Sequence, residues 1–204
     1  MNNVYIYYLF VIAVFLFICF LILRYRKLSK KKMSLLATAG IIFITLVYML
    51  FPFSNLFVQF SSPYDAYCAT QEGENVLTIE GKDSALVITT KEASSAYHSA
   101  IIPKKEDSWK LPGVFDSHTI ARKSSENLIL QIVHARNTND FYVAIYSIGT
   151  EIHVFDSSDS SFQMLNTNES SRGTIYAYYA WVDSLDEKYS ITVDGNRLDL
   201  EITE

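Results

Sequence analysis

The stretch VYIYYLFVIAVFLFICFLIL, residues 4–23, contains twenty residues without a charge, fifteen of them Leu, Ile, Val or Phe. Nothing else in the chain restricts its folding as strongly. At about 1.5 Å rise per residue, a helix of this length matches the roughly 30 Å hydrocarbon core of a bilayer. A second uncharged run, MSLLATAGIIFITLVYMLF, covers residues 33–51. Between the two lies RYRKLSKKK, residues 24–32, in which six of nine residues are Lys or Arg. The pattern predicts two antiparallel transmembrane helices, 4–23 and 33–51, with Ala37, Ala39 and Gly40 permitting close approach. The first run is long, its cations follow it, and no small-x-small cleavage site appears, so it reads as retained rather than as a signal peptide.

Charge sets the expected orientation. Arg24, Arg26, Lys27, Lys30, Lys31 and Lys32 are the expected topology determinants, because carrying each across the bilayer centre costs about 2.5–3.5 kcal/mol. Holding 24–32 in the cytoplasm places residues 1–3 and everything after Phe51 outside. The expectation is an integral plasma membrane protein in contact with the lipid bilayer, its N-terminus and C-terminal domain extracytoplasmic. Residues 1–51 hold six cations and no acids, and residues 52–204 hold eleven cations and all twenty-two acids, so the net −5 divides into +6 and −11.

Residues 52–72 read as a juxtamembrane amphipathic stalk. Phe53, Leu56, Phe57 and Phe60 recur at helical spacing, which suits a segment lying on outer headgroups or folded back onto the following domain. Ser62, Pro63 and Asp65 form a helix start: a cap, a proline at the first position and an acid near the positive dipole end.

FSSPYDAY, followed by ENVLTIEGKDSALVITT and then IIPKKEDSWKL, resembles small membrane proteins of Gram-positive bacteria in which F-x-S-P-x-x-A-aromatic precedes a strand carrying G-x-D-S-A-L-V. The resemblance covers about residues 57–113. It implies a bacterial origin, two N-terminal transmembrane helices and an extracytoplasmic β domain, and brings no active-site residue with it.

From residue 73 to 204 the reading is all-β, a sandwich or compact barrel. NVLTIEG, SALVITTK, AYHSAIIPK, NLILQIVHAR, DFYVAIYSI, EIHVFDS, TIYAYYAWV and YSITVDGNRLDLEI are short, rich in β-branched and aromatic residues, and separated by turn formers. The last is a hairpin: Tyr189, Ile191 and Val193 alternate with polar residues, DGN reverses the chain, and Leu198, Leu200 and Ile202 resume the alternation. NLILQIV and YVAI are apolar on both faces, as central strands covered on both sides would be.

Chemical motifs are sparse. His98, His118, His134 and His153 lack metal-ligand spacing, although strand pairing could bring His134 to His153. DSSDSS, residues 156–161, offers Asp156 and Asp159 but not the spacing of a calcium loop. No nucleophile elbow or phosphate loop is present. Catalytic, metal and cofactor residues are therefore none, and no cofactor is expected. Cys19 falls inside the expected first span near its cytoplasmic end and Cys68 beyond the second span on the far side, so the two cannot pair. In IYAYYAWV, Tyr179 and Trp181 share one face and Tyr176 and Tyr178 the other, so one pair belongs to a core and Tyr176 with Tyr178 form a possible binding surface.

The function that follows is a membrane-anchored extracytoplasmic binding or interaction module (an envelope accessory, sensor or immunity-type protein) rather than an enzyme. Its expected partner is another protein or envelope component, not nucleic acid. An exported hydrolase with a non-contiguous active site and a small structural subunit of a membrane complex are the alternatives.

Overall fold

The computed structural model describes residues 3–26, 30–50, 55, 58–91, 94–113, 116–170, 173–186 and 189–202. Two helices come first, α1 (Asn3–Arg26) and α2 (Lys30–Leu50). They pack on each other, with Gly40 set against the ring of Phe15 so tightly that a Cβ would collide with it. Crossing a bilayer takes about 20 consecutive apolar residues. Among the described residues no helix is long and apolar enough to cross a membrane. The expected two-helix transmembrane anchor is corrected accordingly. The integral membrane localisation, with its cytoplasmic basic loop, depended on it and falls with it.

The short helix α3 (Pro63–Cys68) begins as its sequence predicts. Ser62 is the extended N-cap and its hydroxyl accepts from the Asp65 amide at 3.1 Å, while Pro63 occupies the first turn. Of the expected stalk, Asn55 and residues 58–72 are described and these pack on the β body, while Phe53, Leu56 and Phe57 lie outside the described residues. Phe60 pairs its backbone with Trp109, and the Asn55 side chain bonds both the amide and the carbonyl of Leu111.

Among the described residues twelve strands follow: β1 (Glu74–Glu80), β2 (Ser84–Lys91), β3 (Ser94–Lys105), β4 (Ser108–Trp109), β5 (Ser117–Ser124), β6 (Leu128–Ala135), β7 (Phe141–Ile148), β8 (Val154–Asp156), β9 (Gln163–Ser170), β10 (Gly173–Val182), β11 (Ser190–Val193) and β12 (Asn196–Asp199). They form three antiparallel sheets, ordered β1-β2-β3-β4, β5-β6-β7-β10-β9 and β12-β11-β8. The all-β reading of the domain therefore matches, as stacked sheets rather than a barrel.

The five-stranded sheet lies in the middle. Period-2 alternation sends Leu130, Ile132, Val143, Ile145 and Tyr178 to one side, where Ile191 and Val193 of the three-stranded sheet, with Tyr189 just before β11, meet them. Ala135, Tyr142, Ala144, Ala177 and Tyr179 point the other way, onto Ile79, Leu86, Ile88 and Ile101 of the four-stranded sheet. The outer face of that sheet is covered by Ala66 and Tyr67 of α3, which pack on Ala85, Val87 and Ile102. The apolar-on-both-faces pattern of β6 and β7 has this cause: each is sandwiched between two layers. The β11–β12 hairpin turns at Asp194 and Gly195, whose φ of 47° and 81° suit a tight turn matched to the strand twist.

Candidate functional site: a cleft between two sheets

Where β2 and β3 face β5, β6 and β7, the side chains are too small to close the interface. Ser99 on β3, Ser117 on β5 and Ala144 on β7 border a half-open cavity of about 110 Å³. Its aromatic lining comes from Tyr142, Tyr146 and Tyr179. Tyr146 and Tyr179 meet edge to face, ring centroids 5.9 Å apart, and the Tyr179 hydroxyl donates to that of Tyr146 at 3.2 Å. That arrangement leaves the Tyr146 proton directed elsewhere. Tyr142 shares a hydrogen bond with Ser84 at 2.9 Å. Burial is the main cause raising the pKa of both Tyr142 and Tyr179, so both remain neutral phenols across the physiological range.

Three polar groups along the cleft are uncommitted. Among the described residues, the side chains of Gln131, Ser99 and Ser117 have no hydrogen-bond partner within the chain. Among the described residues, no Asp, Glu, Lys, Arg or His lines the cavity. The described lining therefore offers hydroxyls and one amide over an apolar and aromatic base.

The carboxylates that are buried belong to the scaffold. Asp140, which is 0% exposed, accepts from the Lys82 and Asp83 amides, the Ser84 hydroxyl and the Trp181 indole at 2.7–2.9 Å. Asp156 accepts from the Tyr189 hydroxyl at 2.6 Å and from the Ser158 and Ser160 amides. The DSSDSS segment is thus a turn closed on its own carboxylate. Among the described residues no group of three or more His, Cys, Asp or Glu is placed to hold a metal ion.

No protein-family model matches the chain, and no curated protein or solved structure does. Geometry alone carries the functional reading.

Residues singled out from sequence are placed as follows. Tyr178 is 5% exposed, with its hydroxyl accepting from the Ile152 amide at 2.9 Å. Tyr176 is half-buried against the same core. The exposed pair expected on β10 is therefore corrected: both faces of the strand are covered, because sheets stack on either side of it. Of the expected topology determinants, Arg24, Lys31 and Lys32 are exposed on α1 and α2. Arg26 and Lys30 are helical, and Lys27 lies outside the described residues. Their assigned role required the two spans and is not carried further. His134 stands opposite His118, ring centroids 5.3 Å apart, and not opposite His153. Neither Cys19 nor Cys68 forms a disulfide. The cleft itself was not legible in the sequence. The only signal for it was a set of small or neutral residues at inward positions of otherwise bulky strands, and that signal acquires meaning only once the two sheets are apposed.

Proposed function

We propose that the chain is a non-catalytic interaction module whose inter-sheet cleft receives one neutral, side-chain-sized group from a protein partner. The observation that carries this reading is the convergence of Gln131, Ser99 and Ser117 on a cavity with no charged lining. A charged group entering such a site loses hydration without gaining a counter-charge, whereas an amide or a phenol can exchange water for protein hydrogen bonds. A volume near 110 Å³ suits an anchor of roughly one aromatic or amide side chain. Anchors of this kind, seated in a pocket and ringed by weaker contacts, dominate protein interfaces. Both buried carboxylates hold scaffold hydrogen bonds, and this favours binding over hydrolysis.

The test is amide chemical-shift mapping with four small probes: p-cresol, propionamide, propionate and butylamine. The two neutral probes are expected to shift the amides of Ser99, Ser117 and Ala144, and Ser99→Trp, which fills the lip, is expected to abolish those shifts. Equal response to the charged probes, or none at these amides to the neutral ones, overturns the reading.

A further inference from the structure

We propose that the open groove between β5 and the chain leaving β12 docks an extended peptide of a partner protein that bears one acidic and one basic side chain. This inference is independent of the inter-sheet cleft. β5 ends the five-stranded sheet and β12 ends the three-stranded one. Between Ala121–Lys123 and Asp199–Glu201 lies an open volume of about 410 Å³.

The groove has an apolar base, Ala121 and Leu200, both buried. β5 contributes Arg122 and Lys123 to the lining, of which Lys123 shares its face of the sheet with Leu130 and so turns toward the three-stranded sheet; the chain after β12 contributes Asp199 and Glu201, and all four are exposed. These opposite charges do not meet across the opening. Among the described residues Arg122, Lys123 and Glu201 form no ion pair, and Asp199 is held by Arg197 on its own side at 2.9 Å. Walls of opposite sign kept apart by the two sheets are complementary to a segment carrying both signs. A segment of one sign would be attracted by one wall and repelled by the other.

The backbone makes the same demand for an extended segment. β5 is an end strand, and an added strand would pair along its outer edge. The register shift between Thr119 and Ala121 breaks the regular edge there, so the usable stretch is residues 121–124. Four residues at about 3.3 Å each reach roughly 13 Å, enough for a short pairing that turns every second side chain of the added segment toward the groove, so that an acid and a base two residues apart enter it together.

The probe is the capped pentapeptide VKVEV, compared with VKVKV, VEVEV and a backbone N-methylated VKVEV, each titrated into the full chain and followed by amide shifts. The mixed peptide is expected to perturb residues 121–124 and 199–201 and to bind about five-fold more tightly than either single-sign peptide at low salt, the advantage shrinking at high salt. Lys123→Glu and Glu201→Lys, both at exposed positions, should each erase the preference while leaving the fold intact. Equal binding of all three charge patterns, undiminished binding of the N-methylated peptide, or shifts confined to other residues would each overturn the proposal. Shifts centred on Ser99 and Ala144 would report the cleft instead, so the two sites are read separately.

Discussion

The indole of Trp181 donates to the carboxylate of Asp140 at 2.8 Å, joining β10 to the residue that opens β7. The same carboxylate takes two amides from the β1–β2 turn. One side chain thus fastens the β1–β2 turn of the four-stranded sheet to the five-stranded sheet. Replacing Asp140 with Ala would leave the Lys82 and Asp83 amides and the Trp181 indole without this acceptor, while the Ser84 hydroxyl keeps its bond with Tyr142. We expect a loss of about 3 kcal/mol or more, read as a lower denaturation midpoint at unchanged slope. A loss below about 1 kcal/mol would mean that water replaces the carboxylate.

Gly81 is adjacent to this junction. A Cβ there would lie 2.6 Å from the Asp140 carboxylate and from the Trp181 indole nitrogen. Gly81→Ala is therefore expected to cost about 1–3 kcal/mol and to alter Trp181 fluorescence. A neutral outcome with unchanged emission would show that the turn shifts without disturbing the junction.

Alkaline stability should follow the buried phenols. Tyr142, Tyr179 and Tyr189 are all raised above the ordinary 10.0, burial being the largest cause in each. For Tyr189 the Asp156 carboxylate adds to it. Because the folded state favours the neutral phenol, their contribution is complete below about pH 10 and is lost as the pH rises past it. Loss of sheet signal should coincide with phenolate absorbance in a single transition. Gradual titration near pH 10 with intact sheet signal would contradict this.

On the acid side the relevant group is His118, whose pKa is lowered first by burial, then by the Arg136 guanidinium and His134. Arg136 donates to its Nδ1 at 3.3 Å, a bond that protonation of that nitrogen removes. A lowered base is neutral when folded, so its contribution is complete above about pH 6.5 and declines as the pH falls. His118 is only partly buried, and solvent screening keeps the effect small. His118→Gln should flatten the pH dependence of stability between about pH 7 and 5; an unchanged slope would assign that dependence to other groups.

Among the described residues, nine of eleven exposed large hydrophobic side chains, Phe17, Phe20, Leu35 and Phe43 among them, lie on α1 and α2. Exposed apolar surface of that extent promotes association. Removing residues 1–51 should preserve the sheet signal and abolish self-association in sedimentation, since the three hydrophobic clusters of the β body draw on neither helix. Unfolding of the shortened chain would show that the helices support the sheets.

Period-2 alternation was enough to read β11 and β12, with their turn at Asp194 and Gly195, and the double-sided apolarity of β6 and β7. The α3 start was legible because Ser62, Pro63 and Asp65 act locally, each on atoms within three residues. β5 and β9 escaped notice because SHTIARKS and QMLNTNES are polar strands at the ends of a sheet, held by neighbours whose identity no local pattern supplies. The aromatic run on β10 gave the correct sharing of faces but not their burial, which depends on a second sheet arriving above Tyr178.

What the amino-acid order determined alone was therefore whatever depends on nearest neighbours: strand periodicity, the caps, the tight turn and the uneven division of charge. Tertiary structure alone decided that Asp140 would receive donors from the distant β1–β2 turn and from Trp181. It likewise decided that Ser99 and Ser117 would border one cavity, and that Lys123 and Glu201 would line one groove. Those relationships arise from how three sheets stack, and stacking is set by the summed packing of side chains far apart in sequence, which no local pattern records.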